Sequence, residues 1–561
     1  MSDGSRRAGA IAAPAGYGAR LRKARDGAIV LAAVVLLAVA FFKVRNVGFS
    51  FFYKHPDMPW VPLGLAVLGA AAFCRLQYRQ IGGPLATVTR GCGATILVFL
   101  IAEPTELTTA NPLSRSAALY LDYAWPAAIV LGSLGVWRWP SFTVPAAVYA
   151  ISSRLLAEHV SYFGISILDI RYIVETTVFG AAMMCLTVLV DGVASRSDRF
   201  RAGRFDAGGV WARHRESFIN ACAMTAIGFH LGNYFWSGVA KLALEGGYLS
   251  WVLANPTYTS LLVALEKGIA PTGDWPWVND LVFSGFQQVV VASNVAVLVA
   301  QLACIVAVFR IRWLLVLTYF YDVFHLAIYL CAGLFFYLWI GNNLAIAAAL
   351  WGHRSRPVAL TMPLAAIAGI ALGYFPDLAG AARLAWYTVP NFRASHFEAE
   401  LLGGVRVRVP TSFFLSHSYA EAHGRFGVAP PQDHFEQTFG GATPSFARFQ
   451  DRGRCASPSA NDASGGALPR AEAEKLEKVR AFMRAHHVKM LERADRLGHY
   501  NFYVRAHHQP SNLLMFRDFN ATRLQDVVRY HIVTESMCLR LAGGELDKTV
   551  MAWSDYPIDI R

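Results

Sequence analysis

Residues 217–241 read SFINACAMTAIGFHLGNYFWSGVAK, an apolar run with a single charged side chain, Lys241. A helix needs about 20 apolar residues to cross the hydrocarbon of a bilayer, and this run is long enough. At about 100° per residue, one stripe of such a helix carries polar side chains. The members of this stripe are His230, Asn233 or Tyr234, Ser237 and Lys241. The run therefore predicts a membrane-spanning helix whose polar stripe lines an internal cavity near the outer leaflet.

The rest of the chain extends this pattern. Of its 561 residues, 55% are hydrophobic and only 16% are charged, whereas a soluble globular protein carries about 25% charged residues. Further apolar windows lie near 27–43, 60–76, 91–103, 119–137, 142–158, 172–194, 288–309, 312–332, 334–351 and 358–375. The sequence thus predicts an all-α polytopic transmembrane bundle of about 11 helices, occupying residues 27–376 and embedded in the lipid bilayer.

The net charge of +13 reports topology in this interpretation. With eleven spans, five basic segments fall on the same side of the membrane. They are the segment before the first span and those at 75–79, 196–215, 310–312 and 354–356. Because basic loops face the cytoplasm, the segment 1–26 and the N-terminus are predicted to be cytoplasmic. The charge then gives no reason to expect nucleic acid as a partner. The loop at 43–58, with Lys43, Arg45 and Lys54, is an exception to the pattern.

The composition changes near residue 377. Residues 377–561 hold 23 basic and 20 acidic side chains, against 28 and 18 in the twice longer segment 1–376. This predicts a mixed α/β extracytoplasmic C-terminal domain with a helix over roughly 469–498 and a strand near 404–408. An oxidising compartment would allow Cys455 and Cys538 to pair, and the sequence leaves this open.

Charged and polar groups inside the spans are the candidate site. An ionisable residue at the centre of a span costs about 2.5–3.5 kcal/mol, so it tends to face a protein interior or a wet cavity. Lys241 is either such a group or a lysine that reaches to the interface from the end of its helix. Asp322 and His325 lie three residues apart on one helical face, as a proton-handling pair or as a structural contact between helices.

Other polar residues allow both interpretations. His159 lies at a polar outer corner that also contains Glu158, and Asn342–Asn343 either lines a cavity or joins two helices. Adjacent histidines on a helix point about 100° apart and chelate one metal poorly, which makes the doublets His486–His487 and His507–His508 structural or solvated. The eight cysteines include no CxxC pair, so the sequence predicts no metal site.

At this point three segments carry a family resemblance. The run YFWSGVAKL (234–242), followed by LSWVLANP, resembles the signature of the vitamin K-dependent γ-glutamyl carboxylases and the wider horizontally transferred transmembrane (HTTM) family. The runs FHLAIYLCAGLFFYLWI (324–340) and HVSYFGI (159–165) are similar to two further motifs of that family, although Glu158 stands where the family usually has Asn. The resemblance covers roughly residues 140–350.

The resemblance implies a function. In the carboxylases the matching lysine is the base that starts oxygenation of vitamin K hydroquinone, and the energy released serves to deprotonate a glutamyl γ-carbon that captures CO2. It therefore implies Lys241 as the base, His159 and His325 as quinol-positioning or proton-transfer groups, and a reduced quinone, O2 and CO2 as cofactor and co-substrates. The acceptor would be a peptide, protein or lipid at the outer membrane face. A lysine must be neutral to act as a base, and an apolar site favours the neutral amine.

The geometric argument adds His230, Tyr234, Ser237 and Asp322 to this site as cofactor-binding candidates. The sequence thus predicts a carbon–carbon lyase or a quinol-dependent monooxygenase. The alternative is a non-catalytic membrane protein that binds peptides or assists maturation and assembly, in which the polar stripe only joins helices. A transporter ranks last, because it would have inverted repeats or broken helices and neither is visible, although Gly232 and Gly238 in the span 217–241 leave room for a break.

Overall fold

The computed structural model describes residues 17–55, 58, 64, 81–102, 168–197, 207–244, 246–355, 358–385, 390–410, 413–414, 470–497 and 510–560. We call the helical part before residue 377 the membrane domain, because it contains four helices long and apolar enough to cross a bilayer. Its described helices are α1 (Tyr17–Lys54), α2 (Gly83–Ala102), α3 (Leu168–Ser197), α4 (Ala207–Leu242), α5 (Ser250–Ala254), α6 (Ser260–Glu266), α7 (Pro276–Ala307), α8 (Ile311–Ala332), α9 (Tyr337–Trp351) and α10 (Thr361–Leu372). The C-terminal elements are β1 (Asn391–Leu401), β2 (Arg406–Val409), α11 (Arg470–Leu497), α12 (Arg517–Asn520), β3 (Val527–Ala542) and β4 (Glu545–Asp559).

Four of the described helices are long and apolar enough to cross a membrane. They are Arg22–Gly48 within α1, Glu175–Ser195 within α3, α7 and α8. The windows predicted near 91–103, 217–241, 334–351 and 358–375 coincide with α2, α4, α9 and α10. The windows near 60–76, 119–137 and 142–158 fall outside the described residues, apart from residue 64, so the count of about 11 spans stays a prediction.

The exception at 43–58 has a structural explanation. Helix α1 continues to Lys54, so the predicted loop is wrong over most of its length. Arg45 is half-buried on this helix, where its guanidinium forms an ion pair with buried Glu175 of α3 and donates to the Leu378 carbonyl at 2.9 Å. Arg45 thus balances a buried carboxylate, and its charge does not report a cytoplasmic loop.

Helix α4 packs closely against α10 because glycines lie where the two helices cross. A Cβ added to Gly228 would overlap the backbone carbonyl of Ala366 on α10, and a Cβ on Gly369 would overlap the carbonyl of Thr225. Trp236 of α4 also donates from Nε1 to the Ile370 carbonyl at 2.8 Å. Small residues at such crossings let helix backbones approach closely, so the position of α4 is fixed by its contact with α10.

The crossing predicts a cost for Gly228→Ala. Its methyl group would force the α4 and α10 backbones apart, and overpacking of this kind costs about 1–3 kcal/mol. Thermal unfolding in detergent should show a lower Tm. Gly192→Ala in α3 is the matched control, since a Cβ there meets nothing within 4 Å and alanine favours the helix. Equal Tm values for the two variants would contradict the close crossing.

The C-terminal region contains a four-stranded antiparallel sheet with strand order β2-β1-β3-β4. One face packs against the predicted helix, which is present as α11, through Phe397, Tyr530 and Ile532 on the strands and Val479 and Phe482 on the helix. The strand expected near 404–408 is β2. A helix and a sheet sharing one apolar core confirm that this region is mixed α/β.

The other face of the sheet lies against the membrane domain. Arg408 and Lys548 approach the Glu266 carboxylate at the end of α6, at 3.2 and 3.5 Å. Asn512 donates through its backbone N–H to the Gly268 carbonyl at 2.8 Å. Met537 and Leu539 of β3 share an apolar cluster with Trp251 and other residues of the membrane domain. The sheet therefore docks directly on the segment that connects α4 to α7.

Cys538 on β3 is disulfide-bonded, and its partner lies outside the described residues. The other described cysteines are free thiols: Cys92, Cys185, Cys222, Cys304 and Cys331. Cys455 also lies outside the described residues, so its pairing with Cys538, which the sequence leaves open, is not tested.

Candidate functional site

A cavity of about 330 Å³ lies between α4, α7, α8 and the start of α9. Its polar lining includes Lys241, Ser237 and Tyr234 of α4 together with His325 of α8. Much of the remaining wall is apolar or aromatic, including Phe324, Ile328, Phe336, Trp339 and Val297. We call this space the Lys241 cavity. Its size and apolar lining with a few polar groups are typical of small-molecule sites.

Lys241 is buried in the last turn of α4, with 4% of its surface exposed. Its Nζ donates to the Leu384 carbonyl at 2.6 Å and to the Ser237 carbonyl at 3.4 Å, and it lies 4.9 Å from the ring centre of Trp251. Among the described residues no carboxylate lies within ion-pair distance of this amine. The lysine therefore does not extend to the interface but ends inside the protein, which contradicts the alternative of a snorkelling side chain.

The stripe below Lys241 binds the chain that follows α10. Asn233 Oδ1 accepts the Ala382 N–H at 2.8 Å, and Ser237 Oγ accepts the Leu384 N–H at 3.0 Å while donating to the Ala382 carbonyl at 3.2 Å. Residues 382–384 thus run along α4, and their backbone is hydrogen-bonded to the side chains of the polar stripe. Through these bonds the stripe holds the segment that leads from the membrane domain to the sheet.

A second polar network lies deeper, centred on Asn343 of α9. Its Oδ1 bonds to His230 Nε2 at 2.9 Å, and its Nδ2 donates to Asp322 Oδ1 at 2.8 Å and to the Tyr234 hydroxyl at 3.0 Å. The Tyr234 ring stacks on Tyr321 with centroids 3.7 Å apart. One amide therefore joins α4, α8 and α9 behind the cavity wall.

His325 is separate from this network. Its ring lies among Phe324, Phe336, Trp339 and Tyr234, with centroids 5.3–6.0 Å away. Its buried Nδ1 has no hydrogen-bond partner. The direct Asp322–His325 contact suggested by the spacing is not formed, because the Asp322 carboxylate bonds to Asn343 of α9 whereas the imidazole lines the cavity.

Gln301 of α7 provides a second unsatisfied group on the cavity wall. Its buried Oε1 also has no hydrogen-bond partner. Leaving a buried polar atom unpaired costs about 1–3 kcal/mol, so two such atoms on one cavity indicate a place for a polar ligand. A ligand that donates to Gln301 and bonds to His325 would satisfy both atoms.

One side of the Lys241 cavity is formed by residues with surface exposure. Ala327 of α8 lines the cavity and is exposed, and Phe286, Ser293 and Ile328 are half-buried. These residues belong to α7 and α8, two of the helices long and apolar enough to span a bilayer. The cavity therefore approaches the apolar surface of the bundle between these two helices.

Most of the predicted residues gather here in two layers. Lys241, His325, Tyr234 and Ser237 line the Lys241 cavity. His230 and Asp322 do not line it but bond to Asn343 behind Tyr234. His159 lies outside the described residues, so its part in the site remains a prediction.

Sequence reasoning missed Gln301, Trp251 and Trp339, which also line the cavity. A signal for Gln301 was present, since it is a polar amide within the apolar run of α7. The two tryptophans carry no such signal, because aromatic residues are common at membrane interfaces and in helix cores.

Several charged and titratable side chains lie together on the face of the sheet that docks on the membrane domain. Burial lowers the pKa of His396, and nearby Arg408 lowers it further. The hydrogen bond from His396 lowers the pKa of Glu398. His531 lies between Glu400 at 2.9 Å and Asp555 at 2.8 Å. These groups join the strands of the sheet on the face that docks on the membrane domain.

Comparisons with protein-family models, with curated proteins and with solved structures find no match for this chain. The resemblance to the γ-glutamyl carboxylases and the HTTM family therefore stays a prediction from the three motifs. The geometry of the Lys241 cavity has to support a function by itself.

Proposed function

We propose that this chain is an integral membrane enzyme, similar to the vitamin K-dependent γ-carboxylases, in which Lys241 acts as a base toward a reduced quinone. One observation carries the proposal. A buried amine without a carboxylate partner among the described residues shares an apolar cavity with two unsatisfied polar atoms, on His325 and Gln301. O2 would be the oxidant, and a peptide, protein or lipid at the outer face would be modified.

The lining fits a quinol. The flat faces of Phe324, Phe336 and Trp339 suit an aromatic ring, and the unsatisfied Gln301 Oε1 would accept a hydrogen bond from a phenolic hydroxyl. An isoprenoid tail would leave between α7 and α8 toward the lipid, past Ala327 and Ile328. When bound, the quinol would be the four-electron reductant of O2, with one oxygen atom entering its ring as an epoxide and the other leaving as water.

The roles of the protein groups follow from their positions. Lys241 Nζ would take a proton from a phenolic hydroxyl, and the carbonyls of Leu384 and Ser237 would hold the ammonium that forms. His325 would orient the ring through its unpartnered Nδ1. The Asn343 network would fix Tyr234 behind the site, so that the cavity keeps its shape. CO2 capture by a deprotonated acceptor stays part of the proposal as the family resemblance implies it.

The proposed topology is a polytopic bundle of about 11 helices with a cytoplasmic N-terminus and an extracytoplasmic C-terminal domain. The disulfide at Cys538 supports an oxidising compartment for the sheet. Lys241 and Glu266 lie at the same end of the bundle as the sheet. A polar acceptor held by the C-terminal domain would then lie over the cavity that contains the base.

Lipid extraction of the purified protein tests the proposal directly. We expect a quinone to co-purify with the wild type. The amount of bound quinone should be up to about tenfold lower in Gln301→Leu and in His325→Leu. A lost hydrogen bond is worth about 0.5–1.5 kcal/mol, and 1.4 kcal/mol corresponds to a factor of ten in affinity. Mass spectrometry of the extract measures the ratio of quinone to protein.

Val299→Ala in α7 is the matched control, because Val299 lies two residues from Gln301 but is 57% exposed on the outer surface of the bundle. This variant should retain the wild-type amount of quinone. If the wild type neither carries a quinone nor takes up added menaquinone, or if all variants retain the same amount, the cavity does not serve this ligand.

The structure also supports a second candidate, a non-catalytic membrane protein that binds peptides or assists maturation and assembly. Asn233, Ser237 and Lys241 all bond to the backbone of residues 382–384, as groups that only join segments would. In that case the lysine contributes stability and no turnover. Variants of Lys241 separate the two candidates.

A further inference from the structure

A cluster of potential metal ligands lies where the sheet docks on the membrane domain. It contains Glu266 at the end of α6, His396 on β1 and Glu535 on β3, and one ligand atom from each lies within 4.8 Å of the others. Glu266 and His396 are buried, with 3% and 6% of their surface exposed. The three residues come from three segments that only the folded chain brings together.

His396 is oriented as a ligand. Its Nε2 faces the Glu398 carboxylate at 3.3 Å, and because a carboxylate only accepts, this nitrogen carries the proton of the neutral ring. The lone pair is then on Nδ1, which is buried without a hydrogen-bond partner and lies 3.8 Å from Glu535 Oε2. Metal-bound histidines commonly donate their other ring N–H to a carboxylate in this way.

A cation already occupies the space between the two carboxylates. Lys548 Nζ lies 2.7 Å from Glu535 Oε2 and 3.5 Å from Glu266 Oε1, while Arg408 approaches Glu266 Oε1 at 3.2 Å. The Lys548 side chain is 27% exposed, so it can turn outward to solvent. Arg406 also lies 3.6 Å from Glu398, so the carboxylates of this cluster are already balanced and an added ion has to take the place of the Lys548 ammonium.

We propose that Glu266, His396 and Glu535 bind a divalent transition-metal ion such as Zn²⁺, which displaces the ammonium of Lys548. One imidazole nitrogen and two carboxylate oxygens suit Zn²⁺ better than Ca²⁺ or Mg²⁺, which prefer oxygen ligands alone. Three protein ligands leave a coordination position for water. The ion would connect β1 and β3 to α6 and so tie the sheet to the membrane domain, whether or not the chain acts on quinols.

Cobalt titration of the full-length protein in detergent tests this site. After treatment with a chelator, Co²⁺ should bind one per chain with visible absorption bands, and Zn²⁺ should displace it. His396→Asn should weaken binding by about 100-fold, as loss of a ligand is at least as severe as loss of its supporting contacts. Lys548→Met removes the competing ammonium and should tighten binding about tenfold.

His55→Asn is the surface control and should titrate like the wild type, because His55 is an exposed residue directly after the end of α1 and is not one of the three candidate ligands. Lys548→Met keeps the test decisive even if His396→Asn fails to fold. The site is refuted if neither the wild type nor Lys548→Met binds one Co²⁺ per chain. It is also refuted if folded His396→Asn gives the wild-type spectrum and affinity.

Discussion

Lys241→Met is expected to lower quinol oxidation by at least about 100-fold, because a positioned general base contributes about 10²–10⁴-fold to a rate. The methionine fills a similar volume but cannot take a proton from the quinol. The assay is consumption of vitamin K hydroquinone, with O2 uptake, by the purified protein in lipid nanodiscs. Thermal unfolding of the same samples reports whether the variant keeps its fold.

Two companion variants separate base chemistry from a structural role of Lys241. Lys241→Arg keeps a donor for the Leu384 carbonyl but cannot lose its proton near neutral pH. Ser237→Ala removes bonds to residues 382–384 but leaves the amine in place. If Lys241 is the base, the arginine variant is as inactive as Lys241→Met, while Ser237→Ala retains most of its turnover.

The opposite pattern would support the non-catalytic candidate. In that case Lys241→Met and Ser237→Ala lose Tm by similar amounts, Lys241→Arg restores it, and none of the samples, including the wild type, consumes quinol. Wild-type turnover in a folded Lys241→Met protein would remove Lys241 from the chemistry altogether.

The sequence predicted the helices of the membrane domain better than their ends. Hydropathy alone placed α3, α7 and α8, because each presents an unbroken apolar run. It failed at α1, where Arg45 was taken for a loop residue. An arginine paired inside the bundle and a loop arginine look alike in sequence, since the difference is the carboxylate of Glu175, 130 residues away.

The site shows the same limit. Helical periodicity placed His230, Ser237 and Lys241 on one stripe, and Ser237 and Lys241 do line one cavity, whereas His230 bonds to Asn343 behind it. Periodicity could not show that Ser237 and Lys241 bond to backbone atoms of residues 382–384, nor that Asp322 bonds to Asn343 instead of His325. Those partners come from other segments, and the packing of the helices determines them.

Asn343→Leu is expected to destabilise the membrane domain by about 2–4 kcal/mol. A hydrogen bond between membrane helices contributes about 0.6 kcal/mol on average, and Asn343 bonds to three side chains. The larger part of the cost arises because His230 and Asp322 would be left with unpaired buried atoms. Unfolding in mixed micelles measures the change in free energy, and ligand retention should fall as Tyr234 loses its support.

Asn342→Leu provides a control of the same kind on the same helix. Asn342 is fully buried, yet neither atom of its amide has a hydrogen-bond partner. Replacing an unpaired buried amide with an apolar side chain of similar volume removes a desolvation cost, so this variant should be as stable as the wild type or more stable. Two neighbouring asparagines should thus respond in opposite directions. Equal destabilisation by both substitutions would mean that the bundle is sensitive to leucine at this level of α9, and that Asn343 does not hold α4, α8 and α9 together through its amide.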